Sequence, residues 1–259
     1  MEAMPANIDL YIIGAGVAFP HHLTLQAIES LSSSVCICTN IPNEYLDRLP
    51  SNIASKCKSL WPLYRESRIR AENYRDVREA VVREVETNRP TAWLTPGHPL
   101  VFDSVSTDLL KIAATRRWNT CVVPGISSID TLLADIQYDP ANGITIHDAT
   151  SIVYRNVPLA TSVPLLLLQI GSFFSEHAHL TLKENVLNLT PLRNYLVQYF
   201  PNNHECVIVH SAPNVALLPK LTWTTVDRLP SLQAQDYAGA NLFIPAIGRS
   251  LRPASTEDM

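Results

Sequence analysis

The sequence predicts an α/β fold with a parallel-sheet N-terminal domain and a mixed-sheet C-terminal domain. Three observations carry this. Short apolar runs alternate with helical periodicity through the first half of the chain. Three of those runs end in turns bearing glycine or proline. Beyond about Thr150 the alternation gives way to strands with fewer helices between them. Alternating strands and helices favour a parallel sheet covered on both faces.

Taken in order, Ile8 to Ile13 is an apolar run that ends at Gly14-Ala15-Gly16, a buried strand entering a tight turn. Leu25, Ile28 and Leu31 follow at helical spacing, and Ser34 to Thr39 is a second strand. Tyr74, Val77, Val81 and Val85 mark the apolar face of a longer helix, on which Glu72, Arg75, Arg78 and Glu84 are free to face water. Ala92 to Thr95 is a third strand, leading into Pro96-Gly97-His98-Pro99, and Asp108 to Arg116 is helical. Cys121 to Val123 is a fourth strand, which Pro124-Gly125 turns into a helix over Ser127 to Ile136.

A domain boundary is expected between Thr150 and Val163, giving domains of 1–157 and 158–250 and a flexible tail of 251–259. In the second domain, Val163 to Ile170, Cys206 to His210, Trp223 to Leu229 and Leu242 to Ile247 read as strands. Pro245 places the last of these near an edge, because proline gives a ladder no N–H. Val186 to Phe200 includes a helix that starts near Thr190-Pro191, since proline suits the first turn.

Composition narrows the function. The chain has 259 residues, 46% of them apolar, which is enough for a full core, and a formal net charge of −4. That charge makes no electrostatic case for nucleic acid or an anionic membrane as a partner. The basic residues are scattered apart from Arg65, Arg68 and Arg70. Val163 to Leu168 is too short to span a bilayer. The opening Met1 to Pro5 lacks a basic n-region, so no signal peptide is expected. The five cysteines, Cys36, Cys38, Cys57, Cys121 and Cys206, form no C-x-x-C, and a reduced, cytoplasmic chain is the natural reading. No metal is expected: neither His21 with His22 nor His177 with His179 has ligand spacing on a helix.

In open α/β sheets ligands bind beyond the carboxyl ends of the strands, where the three turns stand. Each turn alone is equally an ordinary strand-to-helix connection. Gly14-x-Gly16 lacks the third glycine of the dinucleotide fingerprint, Phe19 standing in its place, which disfavours an NAD site. Together, however, Leu10 to Thr24 (LYIIGAGVAFPHHLT), Thr95 to Phe102 (TPGHPLVF) and Val122 to Ser128 (VVPGISS) resemble the three signatures of the tetrapyrrole methylase superfamily, with His98 where that family has aspartate. Gly97-His98-Pro99, Ala134 to Pro140 (ADIQYDP), Asp148-Ala149-Thr150, Leu165 to Gly171 (LLLLQIG) and Ile208 to Asn214 (IVHSAPN) resemble its borosin branch of peptide backbone α-N-methyltransferases. Pro96 and Leu100 stand where borosin relatives tend to have tyrosine and glycine.

The resemblance implies the two-domain tetrapyrrole methylase fold, a homodimer, and S-adenosylmethionine (SAM) as cofactor, with S-adenosylhomocysteine as product. It implies a SAM pocket whose lining includes Val17, Pro96, Gly97, His98, Val101, Ser127, Ser128, Gln169 and Ala212. His98 by itself also reads as a hydrogen-bonder that satisfies its own loop. The branch's catalytic group of two tyrosines and an arginine maps onto Tyr64, Arg70 and Tyr74, the last two being one helical turn apart. Arg68 is the alternative to Arg70, and a surface ion-pair face with Tyr74 in core packing is the alternative to the whole group.

The chemistry fits, because an amide nitrogen whose lone pair is in resonance must be deprotonated, or its oxyanion stabilised, before it attacks. Tyrosine beside arginine offers both a base and a donor. Borosins often carry their substrate as a C-terminal extension. With only nine residues from Leu251 to Met259, a precursor peptide methylated in trans is the expectation. The other readings are a small-molecule or corrinoid methyltransferase, whose many-carboxylate substrate favours a basic cleft, and a non-catalytic protein that keeps the SAM pocket and binds a peptide.

Overall fold

A computed structural model describes residues 7–178, 187–237 and 239–249. The expectations for the first five residues, Val186, His179 and the tail from Leu251 lie outside the described residues. Two compact units emerge. The first holds the residues through Asp130 together with Pro213–Leu217; the second holds Thr131–Ala212 and the residues from Leu218 onward.

The first unit is built on β1 (Leu10–Gly14), β2 (Cys36–Thr39), β3 (Cys57–Ser59), β4 (Thr91–Thr95) and β5 (Thr120–Val123). All neighbours are parallel and the order is β3-β2-β4-β1-β5. β1 is buried along its whole length, as a central parallel strand must be. Its side chains alternate between two cores. Leu10 and Ile12 join Cys38 and Trp93 on one face, and Tyr11 and Ile13 join Ile37, Ala92 and Leu94 on the other.

Helix α1 (Leu25–Ser33) covers the second face with Ala27 and Leu31, and Thr24 caps it by accepting the amide of Ala27 at 3.0 Å. The one-turn helices α2 (Asn43–Leu46) and α3 (Ser51–Ala54) lead to β3. Helix α4 (Arg70–Thr87) lays Val77, Val81 and Val85 on the first face. On it, Glu84 departs from the water-facing role expected. Its side chain is only 16% exposed, paired with Lys58 and bonded by Cys36 and Asn88. Helix α5 (Ser104–Arg116) is capped by Asp103, whose Oδ1 accepts the Ser106 amide at 3.0 Å. A buried chain runs inward from that cap, from Trp93 Nε1 to Ser106 Oγ at 3.0 Å and from Ser106 Oγ to Asp103 Oδ2 at 2.8 Å.

Helix α6 (Ser128–Asp135) follows β5. The second unit then contains β6 (Thr145–Asp148), α7 (Ala149–Tyr154), β7 (Leu165–Leu168), α8 (Thr190–Leu196), β8 (Glu205–His210), β9 (Lys220–Thr225), α9 (Ala234–Tyr237) and β10 (Asn241–Ile244). Its sheet runs β6-β7-β10-β8-β9, with β6 and β7 parallel and the other pairs antiparallel. Leu165, Leu167, Ile208, Leu242 and Ile244 form one core with Ile152, Leu192 and Leu196.

Two expectations change here. β10 is central rather than near an edge, and Pro245 follows its last residue, so no ladder bond is lost. Val226–Ser231 is 3₁₀ helix, because the chain leaves the sheet after Thr225 to bury Val226 and Leu229 against that core. β6 was not foreseen. Among the described residues no helix is long and apolar enough to cross a membrane.

The corners that follow β1, β4 and β5 meet backbone to backbone. A Cβ on Gly14 would lie 2.5 Å from the carbonyl oxygen of Gly97 and 2.6 Å from the nitrogen of Gly125. One on Gly125 would lie 2.4 Å from the same Gly97 oxygen. Gly14→Ala should therefore cost more stability than Gly97→Ala. At Gly97 a Cβ meets nothing within 4 Å, and only its φ of +69° opposes a side chain. The expected losses are about 3 kcal/mol or more at Gly14 and about 1 kcal/mol at Gly97, read from urea unfolding midpoints. Equal losses would show that the corners do not touch.

Candidate functional site

The switch in chain direction along the first sheet falls between β1 and β4. β1 continues to β2 on the far side of β4, while β4 continues to β5 on the far side of β1. Crevices at such points are where open α/β sheets bind ligands. Here the Gly14-Ala15-Gly16 and Gly97 corners are stitched together. Gly16 N–H donates to Gly97 O at 3.1 Å, Gly97 N–H donates to Gly16 O at 2.9 Å, and Ala15 N–H donates to Thr95 O at 2.7 Å. The expected convergence of three corners is thus built from main chain. The open space where Gly97 lacks a Cβ lets a ligand approach its backbone.

His22, which the sequence offered only as a non-ligand, braces the first corner. Its Nδ1 accepts the amide of Ala18 at 3.0 Å, and burial lowers its pKa, with His21 adding to the effect. Neutral imidazole is the form that accepts this bond. Val17, next to it, is half-buried.

His98 does what its loop-satisfying alternative foresaw: its Nδ1 accepts the amide of Leu100 at 3.1 Å, while its carbonyl accepts the amide of Val101 at 3.0 Å. Pro96 is exposed and Val101 half-buried on the same loop. Ser127 is 4% exposed. Its Oγ donates to Asp130 Oδ2 at 2.7 Å and accepts the Asp130 amide at 3.2 Å. The Ser127 amide donates to the same carboxylate at 2.7 Å, so Ser127 and Asp130 close the start of α6 reciprocally. Ser128 is the first residue of that helix.

Gln169 and Ala212 belong to the second unit. They follow β7 and β8, which flank β10 and run parallel to each other, so both stand beyond the carboxyl ends of those strands on the same side of that sheet. Gln169 holds a left-handed φ of +60°, a conformation uncommon for a residue with a side chain. Nearby motif residues also act structurally. Ser211 Oγ donates to Asp135 Oδ2 at 2.6 Å, Asp148 Oδ1 accepts the Ser151 amide at 2.7 Å, and Thr150 Oγ1 accepts the Phe174 amide at 3.0 Å.

Tyr64 and Tyr74 are brought together, with ring centroids 6.1 Å apart in an edge arrangement. Trp61 also stacks on Tyr64, with centroids 5.8 Å apart. Arg70 opens α4, one turn before Tyr74. Arg68 precedes the helix, and its guanidinium is held by Glu72 at 2.8 Å and Asp76 at 2.5 Å.

Burial pushes the Tyr64 phenol well above its ordinary pKa. The hydrogen bond from Asn40 opposes this, and the charges on Tyr74 and Asp103 add to it. A phenolate at Tyr64 is therefore disfavoured, and its hydroxyl is suited to donating. Asn40 and Asp103 were not foreseen. Asp103 directly follows the TPGHPLVF stretch, but nothing in the local pattern of Asn40 marks it. Among the described residues no group of three or more His, Cys, Asp or Glu is placed to hold a metal.

Several fungal proteins are similar to this chain. The methyltransferase/type I borosin cyclic peptide precursor of Coprinopsis marcescibilis is 29% identical over 65% of this chain and 44% of that protein. The omphalotin A precursor methyltransferase of Omphalotus olearius is 30% identical over 63% and 39%. The type III borosin precursor of Anomoporia bombycina is 26% identical over 88% and 26%. The chain thus spans less than half the length of these relatives.

Among solved structures, uroporphyrin-III C-methyltransferase from Thermus thermophilus complexed with S-adenosylhomocysteine matches with a TM-score of 0.62 at 13% identity, covering 96% of this chain and 99% of that one. The methyltransferase CobJ matches with a TM-score of 0.63 at 11% identity, covering 95% and 97%. These likenesses show the fold. The tetrapyrrole (corrin/porphyrin) methylase family model matches residues 9–212, well over half of the chain, and the protein belongs to that family.

Proposed function

We propose that this chain is a SAM-dependent methyltransferase that α-N-methylates backbone amides of a ribosomal precursor peptide supplied as a separate chain. The observation that carries the reading is the edge contact of Tyr64 with Tyr74, which sits on the helix that begins at Arg70. The family and the borosin-type relatives support it. The first unit fits the cofactor, since the glycine corners leave main chain open at Gly97. The residues there that would hold it are Val17, Pro96, Gly97, His98, Val101, Ser127 and Ser128. SAM, when bound, supplies a methyl group on a sulfonium, an electrophile that needs no metal.

The chain's own residues must make an amide nitrogen nucleophilic. Tyr74 enters as the phenolate, takes the amide proton and ends as the neutral phenol. Tyr64, kept protonated by its burial, donates to the amide oxygen on which charge develops. Arg70 supplies positive charge one turn from Tyr74. Arg68 is already neutralised by two carboxylates, so the basic cleft that a many-carboxylate tetrapyrrole favours is weakened at this end of α4.

Incubating the protein with labelled SAM and either synthetic apolar peptides or a tetrapyrrole tests the reading. Label on peptide amides is expected. Label on the tetrapyrrole alone, or cofactor binding without transfer, sinks it. Tyr64→Phe, Arg70→Ala and Tyr74→Phe should each lower turnover by about 100-fold, with calorimetric SAM affinity close to wild type. Full turnover in all three removes the proposed site.

The pH dependence follows from the sign of the Tyr64 shift. A pKa raised above 10.0 leaves the donor intact at every lower pH and loses it only as pH rises past the raised value. The pH–rate profiles of wild type and Tyr64→Phe should share one shape below pH 10 and differ by a constant factor. A limb present in wild type and absent from the variant would assign the base to Tyr64 instead.

A further inference from the structure

Two asparagines hold the segment that carries Tyr64. Asn40 follows the last residue of β2, and its Nδ2 lies 3.5 Å from the Tyr64 hydroxyl. Asn73 is fully buried in the first turns of α4, and its Nδ2 donates at 3.0 Å to the carbonyl of Arg65, the residue after Tyr64. Between Tyr64 and the helix the chain passes through Ser67 at a φ of +58°, a left-handed conformation that a serine keeps only when its surroundings impose it. In both asparagines the Oδ1 atom is buried and has no hydrogen-bond partner.

A buried acceptor without a donor is destabilising, and an apolar side chain of similar size would remove that cost. Asparagine is therefore a poor choice at 40 and 73 for stability alone. What the two amides secure is placement. One addresses the hydroxyl of Tyr64, and the other addresses the main chain directly after it. The second is made from the helix that carries Arg70 and Tyr74, so it sets the spacing between Tyr64 and that pair.

We propose that Asn40 and Asn73 are positioning residues that clamp Tyr64 against Arg70 and Tyr74, one at its hydroxyl and one at the following carbonyl. The consequence for turnover rests on the methyl-transfer reading, in which the Tyr64 hydroxyl meets the substrate amide.

Asn40→Leu and Asn73→Leu in the full chain test the clamp. Each should lower kcat at least tenfold on a peptide that the wild type methylates. The SAM dissociation constant should stay within twofold and the thermal midpoint should be unchanged or raised. A second readout needs no turnover: with tyrosine labelled by 13C at Cζ and the Tyr64 resonance assigned through Tyr64→Phe, that resonance should move in both variants. Wild-type kcat in both, or an unmoved Tyr64 resonance, overturns the proposal. So does a fall in kcat that comes with lost SAM binding and a lowered midpoint, which is a purely structural effect. If the wild type methylates nothing, the methyl-transfer reading has failed, and the Tyr64 resonance alone decides whether the clamp exists.

Discussion

Main-chain contact between Gly14, Gly97 and Gly125 governs the first unit. No side chain fits at the first or the last of these without displacing backbone. The corners after β4, β1 and β5 can close on one another only because Gly14 and Gly125 have no Cβ. That closure fixes where the three adjacent parallel strands deliver their carboxyl ends. The sheet supplies the rest of the rigidity: both faces of β1 are buried, and its neighbours alternate apolar side chains into two separate cores. A cradle made of main chain is insensitive to side-chain rotamers, which suits it to holding a cofactor.

The tyrosine pair depends on a second constraint, burial. Position in the chain makes Tyr64 and Tyr74 equivalent candidates for the same chemistry. Desolvation holds Tyr64 in its neutral, donating form. The apolar stripe of α4 places Tyr74 and Arg70 by anchoring the helix through Val77, Val81 and Val85, and Arg68 is drawn away by Glu72 and Asp76. Several motif residues have structural duties in addition. Ser127 starts a helix, His98 and His22 brace loops, and Ser211 ties its segment to Asp135.

Much of this was legible in the sequence, for a physical reason. β1, β4, β7 and β8 are apolar runs long enough to state their own burial. The α4 stripe declares its period, and glycine at a strand end announces a tight corner. The three corners and the Arg70–Tyr74 spacing are local patterns of this kind, and the family they resemble is the family to which the chain belongs. Other features have no local signal. Cys57–Ser59 and Thr145–Asp148 are short and largely polar, and become strands only because β2 and β7 offer them a ladder. Pro245 looked like an edge marker and proved to be the residue after a central strand. The meeting of the glycine backbones, the partial burial of Tyr64 and the grip of Asn40 and Asn73 on its segment depend on elements that are not adjacent in the chain. Local pattern determined which elements form and where the turns fall. Only the packed structure decided which side chains are desolvated and which are neighbours, because both depend on elements arriving from elsewhere in the chain.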